Sequence, residues 1–77
     1  MIEFLGSSSC IPCQQSKELF KNNSVDFKYY DIADTSEQVK NLKLQMMANG
    51  IRSVPAFFKD GEYFGFGLET AKIICEE

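Results

Sequence analysis

The sequence predicts an α/β fold, a four-stranded mixed sheet flanked by helices in the order β-α-β-α-β-β-α. Three observations lead there. A short apolar strand, a helical stretch and a second strand follow one another from the N-terminus, which implies a parallel pair joined by a right-handed crossover. Val39, Leu42, Met46 and Met47 then recur at helical spacing. Finally Asp60-Gly61, the strongest short hairpin signal in the chain, closes an antiparallel pair.

Each element has its own grounds. Ile2-Glu3-Phe4-Leu5 is short, apolar-rich and stopped by Gly6, so it reads as a strand. Gly6-Ser7-Ser8-Ser9 is a loop. From Ile11 to about Asn23 the spacing turns helical, with Cys13, Leu19 and Phe20 toward the buried side. Asn22-Asn23-Ser24 ends that helix with residues that tolerate turns. Residues 25–32 alternate at first and then carry two aromatics, as a strand does. Asp34, Thr35 and Ser36 are candidate caps for a helix reaching about Ala48, closed by Asn49-Gly50. Ile51 to Pro55 is a loop into the strand Ala56–Lys59. Glu62-Tyr63-Phe64 returns, Gly65-Phe66-Gly67 breaks that strand, and Leu68 to Glu76 forms the last helix.

Size and charge exclude several classes. Seventy-seven residues make one domain, 1–77. A net charge of -3 argues against nucleic acid, which needs a basic face. No apolar run approaches the roughly 20 residues of a membrane span. The first residues lack the basic and long apolar regions of a signal peptide, so a cytoplasmic location is expected. In a reducing compartment, cysteines two residues apart are more often catalytic or metal-binding than structural. A closed zinc site needs four ligands. Three cysteines and no histidine do not supply them, and no metal is expected.

Cys10-Ile11-Pro12-Cys13 therefore carries the chemistry. Cys10 ends a loop directly before a helix, where unpaired N–H groups and the helix dipole favour a thiolate. A thiolate is the nucleophile of disulfide exchange. Cys13 lies one turn on, on the same side and deeper, placed to resolve a mixed disulfide formed at Cys10. Pro12 is tolerated because first-turn N–H groups have no helical acceptor.

With these parts in order, the chain resembles a glutaredoxin. The resemblance covers almost all of it: a strand into Cys10-Ile11-Pro12-Cys13, a helix with Ser16-Lys17-Glu18-Leu19-Phe20, the strand Phe27 to Ile32, Ser53-Val54-Pro55-Ala56-Phe57-Phe58, Asp60-Gly61 and the Gly65 turn. It implies a thioredoxin fold, a cis bond before Pro55 and a monomer. It also implies glutathione as cosubstrate, with no permanently bound cofactor, and protein disulfides as substrates. The Val54 backbone would pair with the glutathione peptide. Gly65, Phe66, Gly67, Leu68 and Glu69 would hold its γ-glutamyl end, and Arg52 is a candidate for its glycine carboxylate. Ser9, Ile11, Pro12, Ser53 and Pro55 complete the expected binding surface.

Three departures bear on the electron donor. Proline stands next to the second cysteine, as in thioredoxins, which implies a potential toward about -270 mV rather than about -200 to -230 mV. Ser7 replaces a lysine common three residues before the first cysteine. With Lys17 roughly 10 Å along the helix from Cys10, thiolate stabilisation rests on the helix end and the hydroxyls of Ser7, Ser8 and Ser9. Gly65-Phe66-Gly67-Leu68-Glu69-Thr70 replaces the usual Gly-Gly and paired aspartates. Phe66 resembles the Gly-Phe turn of small redoxins that serve ribonucleotide reductase and take electrons from thioredoxin reductase. Such a redoxin is the alternative reading, and an iron–sulfur carrier with a cluster shared across a dimer is a further one. Phe66 is either a core plug or an exposed rim beside Cys10. Cys75 reads as a bystander, Met46 and Met47 as packing, and Tyr29 and Tyr30 as one ring inside and one outside.

Overall fold

The computed structural model describes residues 1–76. Its elements are β1 (Ile2–Gly6), α1 (Ile11–Asn22), β2 (Phe27–Asp31), α2 (Glu37–Ala48), β3 (Ala56–Lys59), β4 (Glu62–Phe66) and α3 (Gly67–Glu76). The strands lie in the order β2-β1-β3-β4. β1 runs parallel to β2 and antiparallel to β3, and β3 runs antiparallel to β4. This is the thioredoxin fold, with the predicted element order.

Period-two alternation divides the core into two. Phe4 and Phe57 face one side of the sheet, where they meet Phe20 of α1 and Ala71 and Ile74 of α3. Leu5, Ala56 and Phe58 face the other, against Val39, Leu42 and Met46 of α2. Phe4, Phe20 and Phe57 are fully buried, with ring centroids 4.9–5.9 Å apart in edge-on arrangements. Each such pair contributes about 0.5–1.5 kcal/mol beyond its buried area. Tyr29 packs against the first cluster and Tyr30 against the second. Both rings are half-buried, because helices cover both faces; the expected inside–outside division does not hold.

Local chemistry sets the helix ends. Ser36 is the residue that caps α2, accepting from the Val39 N–H at 3.4 Å, while Asp34 braces the Ser36 N–H at 3.0 Å. Gly50, at φ 74, ends that helix by returning its N–H to the Met47 carbonyl. Asp60 and Gly61 both have positive φ, 53 and 85, as the tight hairpin requires.

Two strand boundaries differ from expectation. β2 begins at Phe27 rather than residue 25, because Val25 spends its N–H on Phe20 and the pairing with β1 starts at Ile2–Phe27. β4 continues through Gly65 and Phe66 instead of breaking there. Gly65 pairs with Phe57 and Phe66 with Ala56. A Cβ on Gly65 would stand 2.8 Å from Thr70 Cγ2 and Oγ1, so glycine lets α3 fold back across the strand. Among the described residues, no helix is long and apolar enough to cross a membrane.

Candidate active site

Cys10 is the N-cap of α1. Its Sγ accepts the Cys13 backbone N–H at 3.2 Å. Its thiol also points at the Val54 carbonyl, 3.7 Å away. The sulfur is thus held between a helix start and the loop before β3, and remains partly exposed. An N–H aimed at a sulfur, at the positive end of a helix, favours negative charge there. The Val54–Pro55 bond is cis, as the resemblance implies.

Cys13 lies beneath it and is fully buried. Burial, foremost, and a hydrogen bond to Cys10 push its thiol up to about 12. The charge of Cys10 adds to the rise, whereas the Ser7 backbone and the Lys17 charge oppose it. All three cysteines are free thiols. One thiol at the surface and a protonated one below it form a dithiol able to receive and resolve a mixed disulfide.

The remaining expected residues fall into groups. Val54 and Leu68 pack with Cys10 around the first core cluster. Pro55 is buried, and its carbonyl accepts the Gly67 N–H at 2.8 Å, joining the cis-proline loop to the start of α3. Gly67 has φ 82, a conformation that favours glycine. Ser9, Ile11, Pro12, Ser53 and Glu69 are exposed. Phe66 is 46 % exposed at the end of β4, so it is no core plug. Arg52 is exposed too, and lines an apolar groove with Ile32, Lys43, Met46 and Met47.

The serine hydroxyls do not serve Cys10. Ser7 Oγ pairs with Ser9 Oγ at 3.2 Å, and the loop supports Cys10 through its backbone, Cys10 N–H to Ser7 carbonyl. Sequence reasoning also missed three neighbours of Cys13: Gly6, Lys17 and Tyr29. Lys17 had a legible signal, its i+4 spacing from Cys13. Gly6 and Tyr29 had none. Cys75, on α3, is half-buried and donates toward the Leu19 carbonyl at 3.7 Å, and burial raises its pKa. Among the described residues no cluster of three or more His, Cys, Asp or Glu is arranged for a metal.

A thioredoxin fold with a capping cysteine, a buried partner one turn on and a cis-proline loop against them defines a thioredoxin-fold dithiol protein. The glutaredoxin family model matches residues 2–64, and the chain belongs to the glutaredoxin family. No curated protein sequence matches it. Among solved structures it is similar to the thioredoxin-like protein BC3987, with 26% identity over 96% of this chain and 99% of that one, at a TM-score of 0.68. A buckwheat glutaredoxin in complex with glutathione shares the fold at 18% identity, covering 97% and 78%, with a TM-score of 0.67. So does NrdH-redoxin from Escherichia coli, described as a glutaredoxin-like protein with a thioredoxin-like activity profile, at 19% identity over 95% and 92%, TM-score 0.67.

Proposed function

We propose that the protein is a cytoplasmic, monomeric dithiol–disulfide oxidoreductase that reduces protein disulfides or glutathione mixed disulfides, with glutathione as cosubstrate. The observation that carries this reading is the pairing of a capped, partly exposed Cys10 with a fully buried Cys13. The Cys10 thiolate attacks one sulfur of the substrate disulfide. A Cys10–substrate disulfide forms, and the other sulfur leaves as a thiolate and takes up a proton. Cys13 loses its proton and attacks Cys10. The Cys10–Cys13 disulfide forms, the second substrate sulfur leaves, and two electrons have passed to the substrate. Two glutathione thiols return them.

Binding follows the same surface. The Val54 backbone beside Cys10 pairs with the extended peptide of glutathione or substrate, and Pro55 fixes that strand-like approach. Gly65 to Glu69 receive the γ-glutamyl end and Arg52 a carboxylate. The buckwheat glutaredoxin, solved in complex with glutathione, supports glutathione as the partner.

A second reading changes the donor alone. Ser7 stands where a lysine would offer glutathione a charge, and Phe66 presents an apolar ring suited to a protein partner. These favour a redoxin reset by a flavoprotein thioredoxin reductase, with ribonucleotide reductase as a candidate acceptor. The deciding experiment titrates glutathione disulfide against a reduced Cys13→Ser variant, in which no resolving thiol follows, and reads a mixed disulfide at Cys10 by mass before turnover of the wild-type chain is measured. Turnover is then compared with glutathione plus glutathione reductase and with thioredoxin reductase. A Cys10 adduct and glutathione-driven turnover support the first reading. Turnover with thioredoxin reductase alone supports the second, and neither survives a Cys10→Ser variant that keeps its activity.

A further inference from the structure

The resolving step needs Cys13 as a thiolate, yet burial holds that thiol protonated at neutral pH. A cation stands ready on the same helix. Lys17 follows Cys13 by four residues, so the two side chains project from one face of α1. The Lys17 ammonium sits 3.5 Å from the centroid of the Tyr29 ring, where the negative face of the ring attracts it. Among the described residues no ion pair engages Lys17, so its charge is not spent on a carboxylate.

Gly6 connects that ring to the thiol. Tyr29 Cε1 and Cys13 Sγ each lie 3.1 Å from the point where a Cβ on Gly6 would stand. With no side chain there, the ring edge and the sulfur border the same small space. Tyr29 is held by packing, its centroid 5.2 Å from that of Phe4, and not by its hydroxyl, which is buried without a hydrogen-bond partner. The ring is thus a fixed ledge beside Cys13, carrying an ammonium on its face. A charge fixed in partly buried surroundings acts more strongly than one moving in water.

We propose that Lys17, seated on the Tyr29 ring, is the positioning charge of the resolving step, stabilising the Cys13 thiolate as it attacks Cys10. This rests on the dithiol reading above and adds the group that assists its second half. The Cys13 proton passes to solvent or to the departing substrate thiolate. Lys17 keeps its own proton and supplies charge only. The other titratable groups here are Cys10, facing both Cys13 and Tyr29, and Asp31, facing Tyr29.

The test uses the reduced full chain carrying Cys75→Ser, mixed in stopped flow with an equimolar aromatic disulfide that releases a coloured thiolate. Attack by Cys10 releases the first equivalent and attack by Cys13 the second, so the two steps are read apart. Lys17→Met slows the second phase roughly three- to tenfold, the equivalent of half to one unit in thiol ionisation, and moves its pH profile upward. Lys17→Arg restores it. Tyr29→Leu, which removes the ledge, slows the second phase as Lys17→Met does, and Tyr29→Phe restores it. The double variant Lys17→Met/Tyr29→Leu is no slower than either single one, because the two residues act as a unit. An unchanged rate and pH profile in folded Lys17→Met overturns the proposal, as does slowing by Tyr29→Leu alone. A wild-type chain with no first phase refutes the dithiol reading itself, and the inference with it.

Discussion

The Cys13 backbone N–H donates to Cys10 Sγ at 3.2 Å, so the same sulfur caps a helix and serves as nucleophile. The two roles separate by substitution. Serine is a preferred N-cap, so Cys10→Ser keeps the stability of the fold while abolishing disulfide reduction. Cys10→Ala abolishes reduction as well and lowers stability by about 0.5–2 kcal/mol. Urea denaturation of the three reduced proteins, beside a reductase assay, checks this. Equal stability of the serine and alanine variants contradicts the cap.

Removing the buried thiol stops the reaction halfway. Cys13→Ser accumulates a stable mixed disulfide at Cys10, detectable as a mass adduct, whereas the wild-type chain passes on to the internal disulfide. An adduct at Cys75 in its place contradicts the assignment.

Cys13 also links stability to pH. Its thiol is raised from 9.0 in the unfolded chain to about 12 in the fold. The proton it retains in the fold is lost on unfolding above pH 9.0. Its contribution is therefore complete below pH 9.0 and is lost as pH rises toward 12. The reduced wild type should lose stability more steeply over that interval than Cys13→Ala. Burial raises Tyr29, Tyr63 and Cys75 in the same direction, so the difference between the two proteins is the informative quantity. Parallel curves contradict the burial argument.

Gly6→Ala tests the contact between strand and site. The added methyl would stand 2.8 Å from Phe4 Cε1 and 3.1 Å from both Cys13 Sγ and Tyr29 Cε1. Overpacking of this kind costs about 1–3 kcal/mol. Denaturant midpoints measure it, and a stability equal to wild type contradicts so close an approach.

Phe66→Ser addresses the donor. A ring this exposed contributes little to the core, so stability stays within about 0.5 kcal/mol of wild type. Turnover with a protein partner falls, while reduction of a small aromatic disulfide persists. Equal loss with both substrates shows that the ring does not serve protein partners.

How far the sequence carried can be judged from particular residues. The apolar runs around Phe4 and Leu5, and around Phe57 and Phe58, read as strands, and Cys10, Cys13 and Pro55 stood out by spacing and order. Val25 and Asp26 continued an alternating pattern, but where pairing begins depends on where β1 begins. Gly65 read as a breaker because the side chain occupying its space, Thr70, arrives from another element. Lys17 stands seven residues along the chain from Cys10. Its neighbour is a ring on β2, and only the tertiary fold brings that ring to Cys13. The serine hydroxyls turned to one another because their loop already reaches Cys10 through its backbone.

β4 lies at one margin of the sheet, next to β3 alone. Such a margin offers free N–H and C=O groups to any extended chain that arrives. Gln45 of α2 meets this hazard with one side chain: its amide nitrogen donates to the Gly61 carbonyl at 2.7 Å, and its oxygen accepts the Tyr63 N–H at 3.0 Å. One amide occupies an N–H at the start of β4 and a carbonyl of the turn before it. The helix that covers the sheet's second face thereby also guards its border against recruiting a fifth strand.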